Sequence, residues 1–201
     1  MEPSSRTRRG SGDVVHVLMM GPPGVGKGTQ ASRLSAVLGV PAISTGELFR
    51  EHVAVGSEIG RRMSATIAAG ALVPDEVTNE MVAERLARAD AADGFVLDGF
   101  PRTLAQAHEL DRLLRGSDAT LNRVVVMSAA PTVVVERMLR RAEIEDRADD
   151  TEPVIRRRLE EYEARTAPVL EVYRRRGCLV EIDAVGAPES VARRILLALP
   201  R

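Results

Sequence analysis

The segment GPPGVGKGT, residues 21–29, has the G-x-x-x-x-G-K spacing of a loop that binds phosphate, with the hydroxyl residue displaced by one position because Gly28 precedes Thr29. Its glycines let the backbone curl so that successive N–H groups point inward, and a helix starting at its end adds partial positive charge. In such a loop Lys27 reaches the β and γ phosphates of a nucleotide, and the Thr29 hydroxyl faces Mg²⁺. The remaining predicted phosphate contacts come from Gly24, Val25, Gly26 and Gly28.

Lys27 is the only lysine of the chain, because 27 of its 28 basic residues are arginine. One interpretation is that a compositional preference for arginine left a single lysine by chance. The other is that position 27 needs a compact, mobile ammonium that a planar guanidinium cannot replace. The position of Lys27 inside the phosphate loop favours the second interpretation.

A carboxylate ends another apolar run, FVLDG at residues 95–99. Phosphate loops that work with a metal commonly take such a carboxylate, which orients the water shell of Mg²⁺. Asp98 and Thr29 are therefore the candidate metal residues, acting through water. Taken alone, Asp98 would also fit a simple turn before Gly99.

Short buried strands, each followed by a helix, must position these residues. Residues 14–20 form an almost wholly apolar run typical of a strand buried on both faces, and a helix is predicted from Lys27 to Gly39. Further strands are predicted at 95–97, 124–127 and 178–182, with helical patterns between them. Alternating strands and helices predict an α/β fold, a three-layer parallel sheet.

Residues 44–75 do not repeat this unit. They are predicted as two short helices around Gly56, with no strand between the first sheet strand and the next. The charged stretch at 140–150 has no apolar face, and taken alone it favours a solvated, salt-bridged turn. Both segments are interpreted as insertions at one edge of the sheet.

The composition argues against several classes of protein. A net charge of −1 argues against general nucleic-acid binding, and the single Cys178 rules out an intramolecular disulfide or a cysteine-based structural zinc site. No apolar run approaches the roughly 18–20 residues of a membrane helix. Residues 1–13 are predicted to be a flexible extension of a cytoplasmic protein, with no membrane partner.

Several motifs in order resemble those of the adenylate kinases, in the nucleoside monophosphate kinase family. They are GPPGVGKGTQ (21–30), STGELFR (44–50), GALVPDE (70–76), GFVLDGFPRTLAQA (94–107), and then RADD followed by RRRLEEY and TAP (147–168). The resemblance spans about residues 14–199. It implies a P-loop kinase core that transfers the γ-phosphoryl group of ATP to AMP, giving two ADP, with Mg²⁺ as cofactor.

Such a reaction needs no general base, because the acceptor is already a phosphate anion and catalysis rests on positioning and charge stabilisation. Arginine forks match phosphate oxygens, so converging arginines are expected. By resemblance Arg50 and Arg102 lie at the monophosphate. The others surround the transferring group, Arg137 and Arg141 towards ATP and Arg147 and Arg158 towards AMP. With Lys27 and Arg102, these four are the predicted catalytic residues.

Base selection is also implied by the resemblance. Gln106 matches the glutamine that reads adenine, since an amide can pair with the N6 and N7 edge of that base. Thr45 stands where pyrimidine-preferring relatives have a smaller residue. Further AMP contacts are implied at Ala71, Leu72, Val73 and Gly99. The backbone at Gly186 is implied to touch the adenine of ATP.

The resemblance gives the two insertions a role. It implies that residues from about 44 to 73 form a helical insertion that binds the monophosphate. Residues from about 140 to 150 are implied to form a short lid without zinc-binding cysteines. The family usually has glycine where this chain has Arg140, so either Arg140 or Arg141 is the lid's phosphate contact. The domain is expected to run to residue 201 and to act as a monomer.

Two alternatives differ in function. A sister kinase acting on UMP, CMP or GMP would share nearly every motif, and Thr45 with Gln106 argue against it. A catalytically silent nucleotide-binding protein would keep the phosphate loop without an acceptor site. Asp98, Arg102 and the later arginines argue against that second alternative.

Overall fold

The computed structural model describes residues 14–144 and 151–199. Within them, five strands form one parallel sheet in the order β2-β3-β1-β4-β5. The strands are β1 (Val15–Met20), β2 (Ala42–Ser44), β3 (Gly94–Asp98), β4 (Arg123–Ser128) and β5 (Leu179–Asp183). β1 lies in the centre, which explains why its sequence is nearly all apolar.

Helices connect successive strands. The α-helices are α1 (Lys27–Leu38), α2 (Thr45–Ala54), α3 (Glu58–Ala68), α4 (Asp75–Leu86), α5 (Leu104–Gly116), α6 (Pro131–Ile144), α7 (Glu152–Glu161), α8 (Ala167–Arg175) and α9 (Pro188–Ala198). A 3₁₀ turn spans Ala89–Ala91, and a π-helical turn, Tyr162–Thr166, joins α7 to α8. None of the helices in the described ranges is both long and apolar enough to cross a membrane.

The core lies on both faces of the sheet. Along β1, Val17 and Met19 pack in a cluster with α1, α6 and α9, whereas Leu18 and Met20 pack in a second cluster with α5 and α8. Alternate strand residues point to opposite faces, so one strand contributes to both clusters. The predicted α/β fold with a three-layer parallel sheet is thereby confirmed.

The prediction that no strand lies between the first sheet strand and the next was wrong. β2 occupies that place and pairs with β3, with Ile43 opposite Leu97. It has only three residues, follows Pro41 and lies at the edge of the sheet. A strand so short gives too little periodicity to be recognised.

The two predicted helices around Gly56 are α2 and α3, and they form a tight hairpin. Gly60 of α3 contacts α2 so closely that a Cβ there would overlap the His52 carbonyl. Ser57 caps α3 by accepting a hydrogen bond from the Gly60 N–H at 3.0 Å. A separate small core of Phe49, Val73 and Met81 packs this segment against α4.

Candidate active site

A cleft of about 740 Å³ opens where the strands end at their carboxyl termini, the usual place for ligands in an open α/β sheet. Every predicted site residue in the described ranges lines it. They are Gly24, Val25, Gly26, Lys27, Gly28, Thr29, Thr45, Arg50, Ala71, Leu72, Val73, Asp98, Gly99, Arg102, Gln106, Arg137, Arg141, Arg158 and Gly186. Arg147 lies outside the described residues.

The phosphate loop leaves β1 and enters α1 as its sequence predicts. Gly24 has a φ of 78°, and a Cβ at this position would overlap the Met138 side chain and lie 2.8 Å from the Val134 carbonyl oxygen. The loop backbone therefore packs directly on α6, and only glycine fits there. This packing holds the loop N–H groups at the edge of the cleft.

Lys27 is the first residue of α1, and its ammonium folds back over the loop. Nζ donates hydrogen bonds to the carbonyl oxygens of Gly21 at 2.9 Å and Pro22 at 2.8 Å. Burial lowers the pKa of Lys27 to about 8; the Asp98 carboxylate opposes this shift, whereas Arg102 and Arg141 add to it. A polyphosphate next to this ammonium would favour its charged form.

Asp98 ends β3, and its charge acts on two cations of the cleft. Its charge favours the protonated form of Lys27 and also that of Arg102. Asp98 is only 9% exposed, and its Oδ1 has no hydrogen-bond partner among the described residues. A buried carboxylate oxygen of this kind usually has a ligand, a water or an ion to bind.

The beginning of α1 faces this carboxylate. A Cβ at Gly28 would lie 3.8 Å from Asp98 Oδ2, and Thr29 follows on the exposed side of the helix. Hydroxyl and carboxylate oxygens suit Mg²⁺, which keeps several of its waters and needs few protein ligands. Among residues 14–144 and 151–199, no group of three or more His, Cys, Asp or Glu side chains could hold a metal.

Gly99 joins two predicted AMP residues through its carbonyl oxygen. Thr45 Oγ1 donates to it at 2.9 Å and Arg102 Nε donates at 2.8 Å. Gly99 has a φ of 83°, and a Cβ there would lie 2.5 Å from Thr45 Oγ1. The Thr45 hydroxyl, predicted to matter for base size, is therefore also used to hold the backbone that positions Arg102.

The backbone of Arg102 is held on both sides. Its N–H donates to Gln106 Oε1 at 2.7 Å, and its carbonyl oxygen accepts from Thr166 Oγ1 at 3.1 Å. Burial lowers the pKa of Arg102; Asp98 opposes the shift, and the positive charges of Arg158 and Arg50 add to it. The positive charges of Arg50 and Arg102, predicted at the monophosphate, and of Arg158, predicted towards AMP, thus act on one another, and such a cluster suits a dianionic phosphate.

Gln106 is almost completely buried, and both ends of its amide are engaged within the protein. Besides accepting from Arg102, it donates from Nε2 to Asp75 Oδ1 at 2.7 Å. The other oxygen of Asp75 accepts from Thr103 Oγ1 at 2.8 Å. One amide N–H and one oxygen lone pair of Gln106 are left to meet a base.

Arg137 links two parts of the site. Its guanidinium donates to the Val25 carbonyl oxygen at 3.2 Å and to the Ala184 carbonyl oxygen at 3.1 Å. The sequence predicted Arg137 near the transferring group. The structure places it on the cleft wall, where it ties the phosphate loop to the end of β5.

The described part of the predicted lid continues α6, which extends to Ile144 before the residues that are not described. Arg140 and Arg141 both line the cleft but differ in their surroundings. Arg140 lies 3.9 Å from Glu136 in an exposed pair on α6. The charge of Arg141, in contrast, contributes to lowering the pKa of Lys27, so Arg141 acts electrostatically on the phosphate loop.

Residues of both predicted nucleotide sites line this one cleft. Ala71, Leu72 and Val73, which precede α4, belong to its lining, and so does Gly186. Two residues from α1 and α9 line the cleft as well, Gln30 and Pro188, and Gln30 Nε2 donates to the Pro188 carbonyl oxygen at 3.0 Å.

Sequence reasoning did not single out Asp75, Thr103 or Thr166. Asp75 contacts a residue 31 positions away and Thr166 one 64 positions away, so spacing gives no signal for either contact. The helix start at Thr103, a residue type favoured at N-caps, could have drawn attention to that hydroxyl.

Comparison with known proteins agrees with this geometry. The family model described as adenylate kinase matches residues 19–178. An adenylate kinase of Kocuria rhizophila is 50% identical over 188 residues, covering 94% of this chain and 100% of that protein. Those of Leifsonia xyli and Thermus thermophilus are 48% and 46% identical, and each match covers 91% of this chain, with 92% and 96% of the relative. The resemblance read from the motifs is confirmed, and the chain belongs to the adenylate kinase family.

Proposed function

We propose that this protein reversibly transfers the terminal phosphoryl group of ATP to AMP, giving two ADP, and so balances adenine nucleotides. The observation that carries this proposal is the position of Asp98, whose carboxylate acts on Lys27 and on Arg102. Lys27 belongs to the phosphate loop and Arg102 to the predicted acceptor site. A protein that only bound ATP would have no need for a second phosphate site meeting the first at this carboxylate.

The chemistry then requires little beyond positioning. The phosphate loop and Lys27 hold the donor phosphates, while Arg50, Arg102 and Arg158 neutralise the acceptor phosphate. The acceptor oxygen is already anionic, so no side chain needs to remove a proton from it. The arginines stabilise the charge that spreads over the transferring group.

Thr29 and Asp98 are the residues that would hold Mg²⁺ through its waters, and the free Oδ1 of Asp98 fits this role. Bound with ATP, Mg²⁺ supplies neutralisation of the charge on the phosphate oxygens. Two nearby side chains have separate roles. Lys27 binds the donor phosphate, and Arg137 holds the phosphate loop against the end of β5.

The domain assignments form part of the same proposal. Residues of about 44–73 act as the arm that binds AMP, and about 140–150 as a short lid that expels water when it closes. ATP and AMP are the substrates. Activity as a monomer and a cytoplasmic location stay predictions from the sequence.

A coupled assay of ADP formation tests the proposal. ATP is offered in turn with AMP, GMP, UMP and CMP in the presence of Mg²⁺, with each nucleotide alone as the control. We expect efficient turnover with AMP and only weak turnover with the other three. Absence of ADP from ATP plus AMP would contradict the proposal, and faster turnover with UMP, CMP or GMP would identify a sister kinase.

A further inference from the structure

Asp75 is the first residue of α4, and its carboxylate connects the starts of two helices. One oxygen accepts from Gln106 Nε2 at 2.7 Å and the other from Thr103 Oγ1 at 2.8 Å. Thr103 is the N-cap of α5, and its oxygen accepts from the Gln106 N–H at 3.1 Å. Asp75 is therefore bonded both to the Gln106 amide and to the cap that positions it.

These contacts fix which way round the Gln106 amide lies. A carboxylate only accepts hydrogen bonds and the Arg102 N–H only donates, so the NH₂ group must face Asp75 and the oxygen must face Arg102. A flipped amide would oppose oxygen to carboxylate and NH₂ to N–H. Gln106 is 2% exposed, so water cannot readily replace the lost bonds.

The orientation of the Gln106 amide matters for purine recognition. At position 6 adenine carries an amino group, which donates, whereas guanine carries an oxygen, which accepts. A fixed amide leaves one oxygen lone pair and one N–H for the base, in a set order. Guanine presents acceptors at both O6 and N7 of that edge, so the fixed amide would set its oxygen against O6, and only a flipped amide could donate to that atom.

We propose that Asp75 is a positioning residue that fixes the Gln106 amide and so favours a 6-aminopurine monophosphate over a 6-oxopurine monophosphate. The proposal rests on the proposed function, since it concerns how the acceptor of that reaction is chosen. Asp75 acts through Gln106 and through the Thr103 cap. It needs no contact of its own with the nucleotide.

A double-mutant cycle tests this role. We compare the wild type, Asp75→Ala, Gln106→Ala and the double variant, with AMP or GMP as acceptor, by steady-state kinetics and by calorimetric binding of each monophosphate. Asp75→Ala should raise the KM and Kd for AMP about tenfold and lower the preference for AMP over GMP to a similar extent, as for loss of one charge-assisted bond. The KM for ATP should change less than about twofold, because the residues predicted to bind ATP are separate from Asp75 and Gln106.

The cycle separates positioning from a general structural effect. If Asp75 acts through Gln106, Asp75→Ala should have almost no further effect in the Gln106→Ala background. Asp75→Asn keeps an oxygen that can accept from the amide and should retain most of the selectivity. Glu76→Ala is the matched control, because it also removes a first-turn carboxylate of α4 but is exposed and should leave selectivity unchanged.

Two outcomes would overturn the inference while leaving the proposed function intact. In the first, the Asp75→Ala variant prefers AMP over GMP as strongly as the Glu76→Ala control does. In the second, its effect persists in full when Gln106 is already alanine. If the wild type neither binds AMP nor transfers phosphate to it, the proposed function fails, and this inference fails with it.

Discussion

The Thr166 hydroxyl donates a hydrogen bond to the Arg102 carbonyl oxygen at 3.1 Å, and both residues line the cleft. Thr166 closes the π-helical turn between α7 and α8, and it is only 7% exposed. Turns of this type often occur at functional sites because the extra residue reorients side chains. Here the turn brings a hydroxyl to the backbone of the arginine predicted to hold AMP.

Replacing Thr166 by valine should therefore weaken AMP use. The substitution keeps the shape but leaves the Arg102 carbonyl without its partner, at a cost of about 1 kcal/mol in unfolding free energy. We expect the KM for AMP to rise several-fold while the KM for ATP stays near that of the wild type. Kinetics with each nucleotide varied in turn measures this, and Thr166→Ser should restore the wild-type values.

Arg141 and Arg140 provide a matched pair on one helix. Arg141 acts electrostatically on Lys27, whereas Arg140 lies beside Glu136 in an exposed pair. Arg141→Ala should lower kcat on the order of a hundredfold, as when one donor to the transition-state charge is lost. Arg140→Ala should change kcat less than about threefold, because exposed pairs contribute little. The reverse ranking would assign the lid's phosphate contact to Arg140.

The sequence was sufficient to predict the residues whose chemistry depends on local spacing. The phosphate loop, Lys27 and Asp98 follow buried strands directly, so their place at the carboxyl edge of the sheet follows from the fold class. The short β2 was missed because three residues carry no readable period. Arg147, predicted from the family resemblance, lies outside the described residues and stays a prediction.

Contacts between distant segments could not be predicted in this way. The partners of Gln106 come from α4 and from the backbone of Arg102, and those of Arg137 come from the loops after β1 and β5. Motifs indicate that these side chains matter, but not which of their atoms are already engaged. Which atoms are already engaged decides whether a residue touches the substrate or positions another residue. Only the three-dimensional arrangement shows those contacts.

Lys27→Met should abolish transfer and leave the fold intact. The ammonium lies in a pocket made by the carbonyl oxygens of Gly21 and Pro22, and a thioether supplies no charge to the donor phosphate. We expect kcat to fall by roughly a thousandfold or more, with an unchanged circular dichroism spectrum. Lys27→Arg should be almost as inactive, because the planar guanidinium does not fit a place shaped for a compact ammonium. Near-normal turnover of either variant would contradict the assignment of the loop.

The lowered pKa of Lys27 also predicts how stability depends on pH. Burial shifts this pKa from 10.5 to about 8 in the folded protein. Between these two values the unfolded chain binds more protons at this site than the folded one, so the contribution of Lys27 to the free energy of unfolding rises with pH. Below about pH 8 both states are protonated and the cost of the buried charge is constant. The Lys27→Met variant lacks this pH-dependent contribution to stability but keeps every other titrating group.

Urea unfolding of the wild type and of Lys27→Met at pH 7, 8, 9 and 10, without nucleotide, measures that contribution. The wild type should gain stability relative to the variant from pH 8 upwards and show a flat difference between pH 7 and 8. Saturating ATP should move the start of this gain to higher pH, because the phosphates favour the charged ammonium. A difference that stays constant up to pH 10, or that falls, would mean that the Lys27 ammonium is not desolvated in the folded protein.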